Sequence, residues 1–88
     1  MANHKSARKR ARQTLRRRAR NRHQRSRVQN AVKRVREAIA EGNAESTSGA
    51  LRTAESLLRR AASKGAIPRT RASRQVSRLA KAANQLQG

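Results

Sequence analysis

Cysteine, phenylalanine, tyrosine, tryptophan and aspartate are all missing from these 88 residues, and proline occurs once. Without cysteine there is no disulfide framework and no thiolate metal site. Without aromatic rings, the stacking platforms of single-strand nucleic-acid readers are absent, apart from histidine and the planes of arginine side chains. Acidic residues number only four, all glutamate. With so few carboxylates, no nucleophile beside a base and little core in which to shift a pKa, acid-base or covalent catalysis is not expected, and neither is a cofactor or a small-molecule substrate. Long apolar runs are lacking too. We therefore expect no membrane span and no secretory signal behind the basic N-terminus, with the cytoplasm as the default compartment.

What is present is positive charge. Lysine and arginine total 24 against the four glutamates, a net charge of +20, and arginine supplies nineteen of them. A surface this small cannot neutralise that charge internally, so self-repulsion opposes the compact state. A polyanion relieves it and releases counterions for every phosphate paired, which makes nucleic acid the expected partner. The arginine bias suits planar, two-pronged recognition of phosphate. Eighty-eight residues allow one small domain at most.

The charge is unevenly placed. Residues 1 to 36 hold fifteen basic side chains and no acid, residues 37 to 58 are net negative by three, and residues 59 to 88 are net positive by eight. Gly42-Asn43 and the Lys64-Gly65-Ala66-Ile67-Pro68 stretch punctuate the chain near the same places. Between them, apolar residues recur at helical spacing. Val28, Val32, Val35 and Ile39 form one stripe, flanked by Ala31 and Ala38, with Gly42 suited to a C-terminal cap. Asn43 can cap a second helix whose shared face is Ala44, Thr47, Leu51, Ala54, Leu58 and Ala61, weakened early by Ser46-Thr47-Ser48-Gly49. Thr70 is expected to cap a third, with Ala72, Val76, Leu79, Ala83 and Leu86 as its stripe. Short connections make neighbours antiparallel, so the expected fold is all-α: a three-helix antiparallel bundle over 28–88, with residues 1–27 as a long, basic extension of the first helix.

That extension carries the main candidate binding residues: Lys5, Arg8, Lys9, Arg10, Arg12, Arg16, Arg17, Arg18, Arg20, Arg22, Arg25 and Arg27. On a helical wheel they leave no gap wider than about 60°. Such a segment has nothing to pack against, so alone in water it is expected to be either a frayed helix or an unstructured tail, whereas surrounded by phosphates it can be helical, which favours folded RNA over a flat surface. A second candidate stripe is Arg71, Arg74, Arg78 and Lys81, about 140° round from the third apolar stripe, with no acid after Glu55 to pair with it. Lys33, Arg34 and Arg36 flank the first seam, where Glu37 and Glu41 can pair with bases one turn away. Arg59, Arg60 and Lys64 suit the C-terminal dipole of the second helix. His4 and His23 stand nineteen residues apart with no acid nearby, so a metal site is not expected.

Met-Ala-Asn-His-Lys-Ser-Ala-Arg-Lys-Arg at the start, Arg16-Arg17-Arg18, Asn21, Arg25-Ser26-Arg27, Lys64-Gly65, Ile67, Ala72, Arg74 and Ser77-Arg78-Leu79-Ala80-Lys81 together resemble the bacterial small-subunit ribosomal protein family known as S-twenty. The resemblance covers nearly the whole chain and departs at Pro68 and in its arginine-for-lysine bias. It implies a three-helix bundle with a projecting first helix, a structural constituent of the small ribosomal subunit in the cytoplasm that binds small-subunit ribosomal RNA early in assembly. It further implies contacts joining the five-prime domain of that RNA to its long penultimate stem. The residues themselves leave one main rival, a histone-like DNA-binding protein, because charge alone does not separate polyanions. A leucine-zipper module is disfavoured by a stripe under two heptads long, and a membrane-surface helix by the missing apolar face.

Overall fold

The computed structural model describes residues 3–87, with side chains from residue 6 to residue 85. Three helices account for nearly all of it: α1 (Asn3–Glu41), α2 (Ala44–Ser63) and α3 (Arg69–Gln87). Helix α1 runs for 39 residues because nothing interrupts it. No glycine or proline occurs before Gly42, and arginine, alanine, lysine and glutamine dominate, all good helix formers.

Both turns are Schellman motifs. At Gly42 φ is +74°; the Gly42 N–H donates to the Ile39 carbonyl at 3.0 Å and the Asn43 N–H to the Ala38 carbonyl at 3.3 Å. At Gly65 φ is +78°, and the pattern repeats, Gly65 to Ala62 at 3.1 Å and Ala66 to Ala61 at 2.9 Å. These bonds satisfy carbonyls that a helix end otherwise leaves open, and the left-handed φ is why glycine stands there. Directly after the first turn, the Asn43 side chain accepts from the Ser46 N–H at 3.1 Å, and the Thr47 hydroxyl donates to the Asn43 carbonyl at 2.7 Å. This capping holds the Ser46-to-Gly49 stretch in the helix despite its weak propensity.

Thr70 is not the cap of α3. The helix begins at Arg69, and the Pro68 carbonyl accepts its first bond, from the Ala72 N–H at 3.0 Å. The fixed φ of proline suits the approach to a first turn, where its missing N–H costs nothing, so Pro68 starts the helix two residues earlier than a Thr70 cap requires.

The core is built from α1 (Val28, Ala31, Val32, Val35, Ala38), α2 (Thr47, Ala54, Leu58, Ala61), the second turn (Ala66, Ile67) and α3 (Ala72, Leu79, Ala83). Ile39, Leu51, Leu57 and Val76 pack half-buried at its edge, whereas Ala44, expected on the α2 face, is exposed because it opens the first turn beyond α1. Leu86 lies outside the described side chains. Helix α2 is central and packs on both others, while α1 and α3 touch each other little. Among the described residues, seven of the thirteen buried apolar side chains are alanine, so the helices approach closely and the bundle is thin. The Cα extents are 66 × 20 × 14 Å and the radius of gyration is 17.6 Å, against about 12 Å for a compact chain of this length.

Candidate nucleic-acid interface

The excess length belongs to α1. Every described side chain from Ser6 to Arg20 is exposed, a projection of about 22 Å at helical rise. The first positions to meet the bundle are Asn21 and Gln24, both half-buried, which continue the Val28 stripe toward the N-terminus as amides. The packed part of α1 thus begins about two turns before the apolar periodicity does. There Lys64, exposed at the C-cap of α2, lines a cleft of about 450 Å³ together with Arg17, Arg20, Asn21, His23 and Gln24. Lys64 therefore does more than face its own helix's dipole; it adds a charge to the base of the projecting segment.

Arg8, Lys9, Arg10, Arg12, Arg16, Arg17, Arg18, Arg20, Arg22, Arg25 and Arg27 are all exposed, and Lys5 lies outside the described side chains. Arg8, Arg12, Arg16 and Arg20 stand in one row at steps of four. Like charges so spaced each cost a few tenths of a kcal/mol, so this row alone opposes the helix by about 1 kcal/mol until anions intervene. Leu15, 64 % exposed, is the one large hydrophobic left in water among the described residues, and it interrupts rather than organises the basic surface.

A second concentration forms around α3. Arg71, Arg74, Arg78 and Lys81 are exposed, pointing away from the buried Ala72, Leu79 and Ala83. Arg36 of α1 joins them across the helix interface, and with Arg71, Arg74 and Arg78 it lines a cleft of about 430 Å³. Arg36 was legible in the sequence only as a flank of the first seam; its place beside α3 depends on how α1 and α3 are offset, which no local pattern encodes. Lys33 and Arg34 are exposed on α1, as are Glu37 and Glu41.

Other chemistries find little footing. Among the described residues no group of three or more His, Cys, Asp or Glu could hold a metal ion; His23 is exposed and the side chain of His4 lies outside the described ones. None of the described helices is long and apolar enough to cross a membrane.

A thin helical bundle with a polybasic helix standing free of it defines a small class of basic, all-helical proteins whose largest surface is charge of one sign. The family model for Ribosomal protein S20 matches residues 2–84. A relative from Anaeromyxobacter dehalogenans (strain 2CP-C), named Small ribosomal subunit protein bS20, is 55% identical over 83 residues, covering 94% of this chain and 90% of its own. Proteins of the same name from Campylobacter jejuni (serotype O:2) and Wolinella succinogenes are 49% and 48% identical, covering 98% and 90% of this chain and 99% and 87% of theirs. The chain belongs to the ribosomal protein S20 family.

Proposed function

We propose that this protein is a structural, non-catalytic constituent of the small ribosomal subunit that binds small-subunit ribosomal RNA directly, by phosphate and shape recognition, and supports its folding and assembly. The observation that carries this reading is the free length of α1: from Ser6 to Arg20 it is exposed on every side and basic around its circumference. Only surroundings that are anionic on several sides pair such a helix, and the grooves of a folded RNA provide them. In this reading Lys5, Arg8, Lys9, Arg10, Arg12, Arg16, Arg17, Arg18, Arg20, Arg22, Arg25 and Arg27 contact phosphates along α1. Arg71, Arg74, Arg78 and Lys81 do so from α3, with Arg36 beside them. Family membership and the small-subunit ribosomal names of its relatives support the ribosomal partner over the histone-like alternative.

The finer proposal is that the protein joins the five-prime domain of the RNA to its long penultimate stem. The shape is consistent with such a bridge, since the free segment of α1 and the α3 stripe lie on different parts of a molecule 66 Å long. Hydroxyl-radical footprinting of small-subunit ribosomal RNA, with and without the full-length protein, tests both levels. Protection in both regions is expected; protection in one alone removes the bridge. Competition by duplex DNA as effective as that by the RNA removes the ribosomal assignment.

A further inference from the structure

Helix α3 has a third side. Between it and α2 runs an open groove of about 490 Å³ whose polar lining is Arg59, Ser63, Arg69, Ser73 and Ser77, all exposed. Its floor is Ala62, Ala72 and Val76, two of them half-buried. The groove lies about 120° around α3 from the Arg71, Arg74 and Arg78 stripe, on the opposite flank of the apolar seam. We propose that this groove holds a second stretch of ribosomal RNA backbone, so that α3 is held between two phosphodiester contacts; this rests on the RNA-binding reading above.

The lining is arranged for such a ligand. Arg69, Ser73 and Ser77 follow at steps of four along one wall, and Arg59 with Ser63 at the same step forms the other. Each wall thus offers a guanidinium and at least one short hydroxyl on one line. Arginine supplies paired donors and charge for non-bridging phosphate oxygens, and serine hydroxyls donate to phosphate or exchange hydrogen bonds with a ribose 2′-OH. The seryl and alanyl positions are also short, so a sugar-phosphate strand can approach the floor between the two arginines.

No acid lines this groove, and of its two arginines only Arg59 has a carboxylate one turn away. The nearest acid along α2, Glu55, is half-buried one turn before Arg59 and does not line the groove, and no acid follows it in the chain. The open N–H groups of the first turn of α3, ahead of the bond from Ala72 to Pro68, add positive potential at the end where Arg69 stands. An apolar partner is a poor match, because the floor offers two alanines and one valine and the rim is cationic and hydroxylic.

The test uses full-length protein and in-vitro transcribed small-subunit ribosomal RNA, titrated at several salt concentrations, with helicity followed by circular dichroism. The pair Arg59→Gln and Arg69→Gln should weaken binding at least tenfold and reduce the slope of log K against log salt by about 1.5, at roughly 0.7 to 0.9 per phosphate lost. Arg74→Gln with Arg78→Gln should do the same independently, and the four together should sum, since the sites share no partner. An unchanged affinity and slope in the first pair, with the second pair impaired, overturns the groove and leaves the RNA reading standing. Unchanged binding in both pairs overturns the RNA reading of the bundle itself. If the first pair loses helix, Ser77→Asp decides: this exposed substitution places a negative charge in the groove with both arginines intact. A fivefold or greater loss of affinity supports the proposal and no loss refutes it.

Discussion

Removal of residues 1 to 20 separates what holds this protein together from what it binds with. Among the described side chains, every buried residue lies between Val28 and Ala83 and the first half-buried one is Asn21, so the cut leaves the core and its polar margin whole. It takes Lys5, Arg8, Lys9, Arg10, Arg12, Arg16, Arg17, Arg18 and Arg20, nine of the 24 basic side chains. The melting temperature of the bundle should stay within a few degrees of the full-length value or rise slightly, because the lost charges only repelled one another. The like-charge row along Arg8, Arg12, Arg16 and Arg20 opposes α1 by about 1 kcal/mol, and that opposition disappears with it. Affinity should respond in the other direction. If six of the nine residues pair with phosphates, the magnitude of the salt slope falls by about 4 to 5, and near 0.1 M salt each released counterion is worth about 1 kcal/mol before ordering costs are subtracted. A loss of at least a hundredfold in RNA affinity follows. Matched thermal melts and RNA titrations at three salt concentrations check both halves. A truncated protein that binds within threefold of the full-length chain, with an unaltered slope, refutes the assignment of the free segment as the principal RNA contact. A melting temperature lowered by more than about 10 °C refutes the claim that the segment lies outside the packed structure.

Other outcomes follow from the packing and the caps. In the free protein, amide protons of residues 6 to 20 should exchange almost without protection, since no tertiary contact covers that helix, and should become protected on saturation with RNA; equal protection in both states refutes coupled ordering. Leu58→Ala, at a fully buried position, should cost about 2 to 5 kcal/mol, enough to unfold most of the free chain, read by denaturant titration. Asn43→Ala should cost about 1 kcal/mol because it removes the side-chain acceptor for Ser46, whereas Thr70→Ala should cost under about 0.5 kcal/mol because Thr70 caps nothing. Gly42→Ala and Gly65→Ala should each destabilise by about 1 kcal/mol in thermal melts through the left-handed φ alone, as no atom lies within 4 Å of where either Cβ would stand.

The sequence by itself determined the three helices, their order and most of their inward faces, because each depends on contacts a few residues apart. Val28, Val32, Val35 and the α3 stripe are read from a 3.6-residue period, and Gly42, Asn43 and Gly65 from the dihedral and donor needs of helix ends. The ring of bases on the first helix is equally local, since it follows from residue order once the segment is helical. Tertiary structure decided what depends on the offset of one helix along another. It placed the start of packing at Asn21 and Gln24, where amides rather than aliphatics meet the bundle around Lys64, so hydrophobic periodicity carried no signal there. It buried Ala66 and Ile67, which belong to a turn and to no helical stripe. It moved the start of α3 to Pro68 and Arg69, and it set Arg36 beside Arg71, Arg74 and Arg78 and Arg59 across from Arg69. These pairings span tens of residues, and they are fixed by how closely alanine-rich faces let three helices approach, a property of the assembled faces together.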